Sequence, residues 1–283
     1  MALKPKQNNL KVFLEILEIK PLIFVPAYRC EKFIKKVINK LDKESFLNGI
    51  PALIVDNCSP DKTLHESIVA SRESRRTISI IQNNQNYGLG GSHKTAFRFA
   101  LKNNFTHLCI IHGDDQGDPK DLAKLIYHLQ SSSKNFHNKN NFSILGARFQ
   151  KGSQLKGYSF SRYMGNIIFN FLFSISLKRR IYDLGAGINI FSINDLKSNK
   201  ILEVTTDDLC FNYMLLVNLL KSKSEIIFKP IKWVEEDQIS NVKVIQQLLK
   251  LIKIWLQSFK KFPFKNFKYR TLDFYNYKLI EEN

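Results

Sequence analysis

Along the first half of the chain, short apolar runs alternate with segments whose apolar residues recur at helical spacing. Leu22-Ile23-Phe24-Val25, Ala52-Leu53-Ile54-Val55, Ile78-Ser79-Ile80-Ile81, Leu108-Cys109-Ile110-Ile111 and Ser143-Ile144-Leu145-Gly146 each read as a buried strand. Between them, Phe33, Ile34, Val37, Ile38 and Leu41 share one helical stripe. Leu122, Leu125, Ile126 and Leu129 keep the same spacing behind Pro119, a residue suited to a first helical turn. This alternation predicts an α/β fold, a mostly parallel Rossmann-like sheet with helices on both faces and ligands at the carboxyl ends of the strands. The second half is less regular. It offers a Phe-rich helix from Tyr163 to Leu177, a strand over Ile188–Phe191, a helix over Asp207–Lys221, a strand over Ile226–Phe228, and a basic amphipathic tail. The Ser/Asn/Lys-rich stretch from Ser131 to Asn141 reads as a surface loop.

Each of the first four strands ends in polar residues. Pro26-Ala27-Tyr28-Arg29-Cys30-Glu31 follows the first and holds no glycine, which excludes a dinucleotide-binding turn. Asp56-Asn57-Cys58-Ser59-Pro60-Asp61 follows the second. A carboxylate there can accept hydrogen bonds from a base or ribose, and the same residues also suit a turn with an Asp61 or Ser59 helix cap. After the third, Gly88, Gly90 and Gly91 allow close backbone approach ahead of a helix N-terminus that favours phosphate. After the fourth comes His112-Gly113-Asp114-Asp115-Gln116-Gly117-Asp118-Pro119. Carboxylate and amide oxygens at the end of a buried strand can hold a hard divalent cation while leaving positions for phosphate oxygens. An acidic turn with a helix cap explains that segment equally well when it is taken alone. Four such clusters on successive strand ends describe one crevice.

In order along the chain, Val25-Pro26-Ala27-Tyr28, Val55-Asp56-Asn57-Cys58-Ser59-Pro60-Asp61, Asn86-Tyr87-Gly88-Leu89-Gly90-Gly91 and His112-Gly113-Asp114-Asp115-Gln116 resemble family 2 glycosyltransferases of the GT-A fold. The nearest branch is the one with dolichyl-phosphate mannose synthase and bacterial polyprenyl-phosphate sugar transferases. The resemblance runs roughly from Pro21 to Ile254. It takes in Gly146-Ala147-Arg148-Phe149, Tyr182-Asp183-Leu184-Gly185-Ala186-Gly187, Pro230-Ile231-Lys232-Trp233 and the acidic stretch from Glu235 to Asn241.

The resemblance implies an inverting, metal-dependent transfer of a sugar from a nucleotide-diphospho-sugar, with Mg²⁺ or Mn²⁺ as cofactor. The acceptor is either a polyprenyl phosphate or a glycan in cell-surface polysaccharide synthesis. Pro26, Ala27, Tyr28, Glu31 and Asp56 fall on positions that hold the nucleoside, and Asp115 is grouped with the donor-binding residues. The family's metal motif, Asp-x-Asp followed closely by Gln, aligns its second Asp with Asp114 and puts His112 in its first position. The metal then falls to Asp114 and Gln116, with His112 either a further ligand or a partner of ribose or phosphate. Asn57 and Asn189 depart from the family pattern as well. Arg148 and Lys94 would add positive charge. A lipid phosphate acceptor is already anionic and needs no base. A sugar hydroxyl would need a carboxylate within about 3 Å, for which Asp207, Asp208 and Asp183 are the candidates; Asp183 could instead position acceptor phosphate or metal.

Composition narrows the partners. The 283 residues carry a formal charge of +18, from 43 basic and 25 acidic side chains. That balance suits nucleotide sugars, an acidic bilayer surface or nucleic acid. Nucleic acid is the less favoured of these, because the basic residues are dispersed, no binding motif appears, and strand-end acids would repel a phosphate backbone. A nucleotidyltransferase would open with a glycine-rich loop, which is missing, and a catalytically inactive relative is a further alternative. Cys30, Cys58, Cys109 and Cys210 have no paired spacing, which argues for a cytoplasmic protein without disulfides or zinc. Met1 to Lys20 lacks a secretory core, and Met164 to Leu177 is too short to span a bilayer.

From Val242 onward, Val244, Ile245, Leu248, Leu249, Ile252, Trp255 and Leu256 form one apolar helical face, with Lys243, Lys250, Lys253, Lys260 and Lys261 interspersed. Val242 to Leu256 reads first as a helix packed on the catalytic domain. The aromatic and basic stretch from Phe259 to Tyr275 is the better contact for the anionic cytoplasmic face of a membrane. The expected organisation is a catalytic domain over 1–240, with a donor half at 20–130 and an acceptor half at 140–240, then a tail over 241–283.

Overall fold

The computed structural model describes residues 19–133, 142–198, 200–235, 244–260, 264 and 267–283. The expected strands form where the apolar runs lie: β1 (Pro21–Ala27), β2 (Ala52–Asp56), β3 (Ile78–Asn83), β4 (His107–Ile111), β5 (Phe142–Ala147), β7 (Ile188–Ser192) and β8 (Glu225–Pro230). A short ribbon pairs β6 (Gln154–Lys156) with β9 (Lys232–Val234), and β10 (Tyr277–Glu282) lies near the C-terminus. The helices are α1 (Ile34–Lys43), α2 (Thr63–Glu73), α3 (Gly88–Lys102), α4 (Pro119–Ser133), α5 (Phe160–Leu177), α6 (Ile193–Ser198), α7 (Phe211–Lys221) and α8 (Val244–Ser258).

The main sheet has eight strands in the order β10-β3-β2-β1-β4-β7-β5-β8. Pairs β1 with β2, β1 with β4, β2 with β3 and β5 with β8 are parallel. Because β1 sits between β2 and β4, their carboxyl ends converge. β7 runs antiparallel to both neighbours, β4 and β5, and so divides the sheet into β10-β3-β2-β1-β4 on one side and the pair β5-β8 on the other. Two cores cover the faces. One buries Ile34, Val37, Ile38 and Leu41 of α1 with Leu122, Leu125, Ile126 and Leu129 of α4. The other gathers Ala96 and Phe97 of α3 with Phe211 and Met214 of α7 and Leu251 and Ile254 of α8. The helical stripes read from sequence are the buried faces of α1 and α4.

Three features differ from the sequence-based expectations. The helix expected from Asp207 begins at Phe211, because the Asp208 carboxylate accepts from the Thr206 hydroxyl and the Cys210 N–H and holds the chain in a turn. The helix before Ser131–Asn141 extends through Ser133, and 134–141 lie outside the described residues. In the described residues after α8 the aromatic side chains divide between surface and core, and Phe259 and Phe274 stay exposed. Phe264 and Tyr275 are buried, and β10 adds to the sheet edge antiparallel to β3. Its charged Lys278, Glu281 and Glu282 protect that edge from further pairing. Residue Phe262 and the acidic stretch 236–241 lie outside the described residues.

Much of the apolar surface that stays exposed lies on two helices. Phe160, Ile168, Phe171 and Ile175 of α5, and Leu248, Leu249 and Leu256 of α8, face outward. The Trp255 indole N–H donates to the Leu172 carbonyl at 2.9 Å, and the Ser258 and Ser176 hydroxyls meet at 2.6 Å, so the helices are joined. Among the described residues, no helix is long and apolar enough to cross a membrane.

Candidate active site

The loop after β4 is held from two sides. The Gly113 N–H donates to the Pro26 carbonyl at 3.1 Å, and the Val234 N–H donates to the Gln116 carbonyl at 3.1 Å. Within the loop the Gln116 N–H donates to Asp114 Oδ1 at 3.2 Å. The Asp114 side chain remains 30% exposed, with His112 Nδ1 4.0 Å from its Oδ2. Burial lowers the His112 pKa, and the Arg148 charge lowers it further against the pull of Asp114. A neutral imidazole therefore stands where the related motif has a carboxylate.

Asp115 turns toward α1. Its φ of +61° is left-handed, and its carboxylate lies 2.6 Å from both Lys36 Nζ and Lys40 Nζ of α1. The residue grouped with the donor contacts is thus an anchor that ties the loop to α1. Among the described residues, no group of three His, Cys, Asp or Glu side chains could hold a metal ion. Asp114 and Gln116 nevertheless offer a carboxylate and an amide at the cleft, hard oxygen donors that fit Mg²⁺ or Mn²⁺ if phosphate oxygens complete the shell. His112 adds an imidazole that favours Mn²⁺ over Mg²⁺.

Pro26, Ala27, Tyr28, Glu31 and Asp56 sit together at the ends of β1 and β2. Asp56 accepts from the Gln82 side-chain amide at 2.8 Å and from the Ser59 N–H, and it is buried. Glu31 accepts the Lys62 N–H at 3.0 Å. Tyr28 is exposed, with the Arg29 guanidinium 5.4 Å from its ring centre. The departure at Asn57 has a structural reason. Its Oδ1 accepts from the Tyr87 N–H and the Asn83 amide, and its Nδ2 donates to Asn86 Oδ1, so it organises the loop into α3.

The glycines of that loop serve chain packing. A Cβ at Gly88, where φ is +76°, would lie 2.4 Å from the Asp207 carbonyl oxygen, and one at Gly90 would lie 2.3 Å from that of Thr206. Lys94 is likewise structural. Its ammonium is fully buried and donates to Asp207 Oδ1 at 2.9 Å, the Thr205 carbonyl at 2.8 Å and the Tyr275 hydroxyl. Burial lowers its pKa, opposed by the hydrogen bond and charge of Asp207. Arg270 also contacts Asp207, at 3.2 Å. Asp208 pairs with Lys250. Burial alone would raise the Asp208 carboxyl, but Lys250, Thr206 and the Cys210 N–H together hold it below its ordinary value.

A cavity of about 640 Å³ opens beside the loop, reached by His112 and Gln116. Arg148 lines it and forms a double contact with Asp183, Nε to Oδ2 at 2.7 Å and the second guanidinium nitrogen to Oδ1 at 2.8 Å. Burial would lower the Arg148 pKa, but the Asp183 charge and hydrogen bonds outweigh it and hold the guanidinium above its ordinary value. Asp183 is therefore fixed on Arg148. Tyr158, Arg162 and Asn166 form a second polar group in this cavity. Asn166 donates to the Tyr158 hydroxyl, and Arg162 pairs with Glu235. None of the cavity's described lining residues is Asp or Glu. Asn189, the other departure, donates to the Ala186 carbonyl and accepts the Gly146 N–H, which joins β7 to β5.

The sequence pointed to His112, Asp114, Gln116 and Arg148, and these surround the loop. It missed Tyr158, Arg162, Asn166 and Tyr213. The signal for Tyr158, Arg162 and Asn166 was polar residues at and before the start of the Phe-rich helix, and Tyr213 in α7 had none.

Comparison with known proteins gives consistent results. Residues 22–185 match the glycosyl transferase family 2 profile. A UDP-N-acetylglucosamine–dolichyl-phosphate N-acetylglucosaminyltransferase of Methanococcus voltae is 26% identical over 188 residues, 62% of this chain and 70% of that protein. An undecaprenyl-phosphate mannosyltransferase of Micrococcus luteus is 20% identical over 185 residues, 65% and 72% of the two chains. Among solved structures, glucosyl-3-phosphoglycerate synthase of Mycobacterium tuberculosis in complex with UDP superposes with a TM-score of 0.63 at 12% identity, covering 91% of this chain and 86% of the other. The same enzyme with Mn²⁺, UDP-glucose and glycerol 3-phosphate gives 0.61 at 12% identity, covering 91% and 86%. The profile spans more than half of the chain, and the chain belongs to glycosyl transferase family 2, a glycosyltransferase of the GT-A fold.

Proposed function

We propose that the protein transfers a sugar from a nucleotide-diphospho-sugar to a polyprenyl phosphate, with inversion and with a divalent cation. The observation that carries this reading is the cavity beside the loop, which has two arginines and no described carboxylate. A hydroxyl acceptor has to lose a proton to a base, whereas a phosphate oxygen is already anionic and attacks the anomeric carbon directly. As the bond to the acceptor oxygen forms, the bond to the donor's diphosphate breaks, and no proton has to move. The three candidate bases are engaged: Asp183 by Arg148, Asp207 by Lys94 and Arg270, and Asp208 by Lys250.

In this reading Tyr28, Glu31 and Asp56 hold the nucleoside, and Arg148 and Arg162 draw the acceptor phosphate toward His112 and Gln116. Asp183 keeps the Arg148 fork oriented. Asp114 and Gln116 would hold Mg²⁺ or Mn²⁺, which when bound offsets the charge that develops on the leaving nucleotide. The names of the Methanococcus and Micrococcus relatives support a polyprenyl-phosphate acceptor. The Mn²⁺ and UDP-sugar in the mycobacterial complex support the metal and the donor class.

The exposed apolar faces of α5 and α8 support docking on a membrane. Arg162, Lys250 and Lys253 lie on the same helices and suit anionic headgroups at the cytoplasmic face. This moves the expected membrane contact from Phe259–Tyr275 to the pair α5 and α8. The test is mass-spectrometric detection of glycosylated polyprenyl phosphate from UDP-, GDP- and dTDP-sugars, each with Mn²⁺, Mg²⁺ or EDTA. One donor should give product, and EDTA should remove it. Product formation undiminished in EDTA would reject the metal, and no product from any donor would reject the acceptor.

A further inference from the structure

A cavity of about 590 Å³ runs along α5 to its C-terminal end and shares no lining residue with the acceptor cavity. Ile167, Phe171 and Ile175 form an apolar wall, of which Phe171 and Ile175 are exposed. Lys178, Arg179 and Arg180 follow at the helix end. The Arg179 guanidinium donates to the Ile226 carbonyl of β8 at 2.7 Å, and that of Arg180 lies 4.9 Å from the centre of the Tyr182 ring, so both are held in place. None of the cavity's described lining residues is Asp or Glu, and none of the three cations forms an ion pair with a described carboxylate. Helix capping does not account for these side chains. The Phe173, Ser174 and Ile175 carbonyls already accept from the Ser176 hydroxyl, the Arg179 N–H and the Lys178 N–H. Three cations at the end of an exposed apolar trough match an anionic headgroup that carries an acyl chain.

We propose that this cavity seats an anionic phospholipid of the bilayer, with its phosphate on Lys178, Arg179 and Arg180 and an acyl chain along Ile167, Phe171 and Ile175. The inference rests on the reading of α5 and α8 as the membrane face and adds to it a lipid class and a site. Asn166 and Phe169 of the same helix line the acceptor cavity. A lipid seated on α5 therefore holds the mouth of that cavity at the bilayer surface, where a polyprenyl phosphate is presented. Guanidinium forks fixed on a wall suit a phosphodiester, and a zwitterionic headgroup would offset their charge with its own cation.

The experiment measures partitioning of the full chain onto phosphatidylcholine vesicles with and without phosphatidylglycerol. Wild type is compared with Lys178→Gln/Arg179→Gln/Arg180→Gln and with Arg75→Gln/Lys102→Gln/Lys278→Gln, which removes the same charge from other exposed positions. If the first variant is misfolded by circular dichroism, Lys178→Gln/Arg180→Gln replaces it and keeps the Arg179 contact to Ile226. Wild type should prefer the phosphatidylglycerol vesicles. The first variant should lose at least about tenfold of that partitioning, since each basic residue near an anionic bilayer contributes about fivefold, while the second stays within about threefold of wild type. A phosphatidylglycerol with a photoreactive acyl chain should label the segment 167–182 in wild type. Wild type that floats on phosphatidylglycerol whatever the state of Lys178, Arg179 and Arg180, equal losses in the two variants, or label confined to other segments would overturn the site and leave the membrane face standing. Wild type that floats on neither vesicle would overturn both.

Discussion

The two sides of the crevice treat charge in opposite ways. On the side read as the donor's, Asp56 accepts from a neutral amide and a backbone N–H, and Asp114 keeps 30% of its side chain exposed. On the acceptor side each candidate carboxylate lies against a cation, and the two arginines carry the exposed polarity of the cavity. A partly exposed carboxylate suits a metal, and a guanidinium facing a cavity suits an anion. In the proposed reading, the difference puts metal and nucleotide on one side and an anionic lipid acceptor on the other.

The largest expected effect is on the donor side. Asp114→Ala should lower transfer by on the order of a thousandfold, since it removes the principal anchor for charge on the leaving group. Circular dichroism and the melting curve should be unchanged; full activity would break the donor half of the comparison. On the acceptor side, Asp183→Ala strands Arg148 as a buried unpaired charge. That should cost about 3–5 kcal/mol in denaturant unfolding, and a cost under about 1 kcal/mol would show that the pair holds nothing together.

Acid separates the core from the site. His107, at the start of β4 and far along the strand from Asp114, is fully buried, and burial lowers its pKa from 6.5 to about 4. The unfolded chain therefore binds a proton that the folded chain refuses between those values. The stability this imidazole permits is complete above about pH 6.5 and falls as pH drops toward 4. The loss is about 3 kcal/mol in all and about 2 kcal/mol by pH 5. His107→Phe should flatten the fall in melting temperature between pH 7 and 5, and an unaltered slope would locate the acid sensitivity elsewhere. The smallest effect is expected for Asp208→Asn, whose rate should stay within about threefold of wild type. A thousandfold loss would make Asp208 a base and reverse the acceptor half.

How much of this was legible in the sequence follows from the range of the interactions. Strands β1 to β5 and the buried stripes of α1 and α4 are local patterns, and they lie where the apolar residues put them. The cluster at the end of β4 was legible for the same reason, because the short run from His112 to Gln116 carries it. The roles of Asp115, Lys94 and Asp207 were not. Asp115 meets Lys36 and Lys40 across some 75 positions, and Lys94 meets Asp207 across 113. No periodicity records such pairs. β10 was hidden too, since Tyr277 to Glu282 carry the charge of an edge strand and read as tail.

The most direct measurement compares sugar transfer to a polyprenyl phosphate and to the same polyprenol without its phosphate, under one donor, one divalent cation and one detergent. The account expects product from the phosphate and none from the alcohol. Transfer to the alcohol at a comparable rate would contradict it, because a hydroxyl acceptor requires a base that the cavity's described residues do not supply.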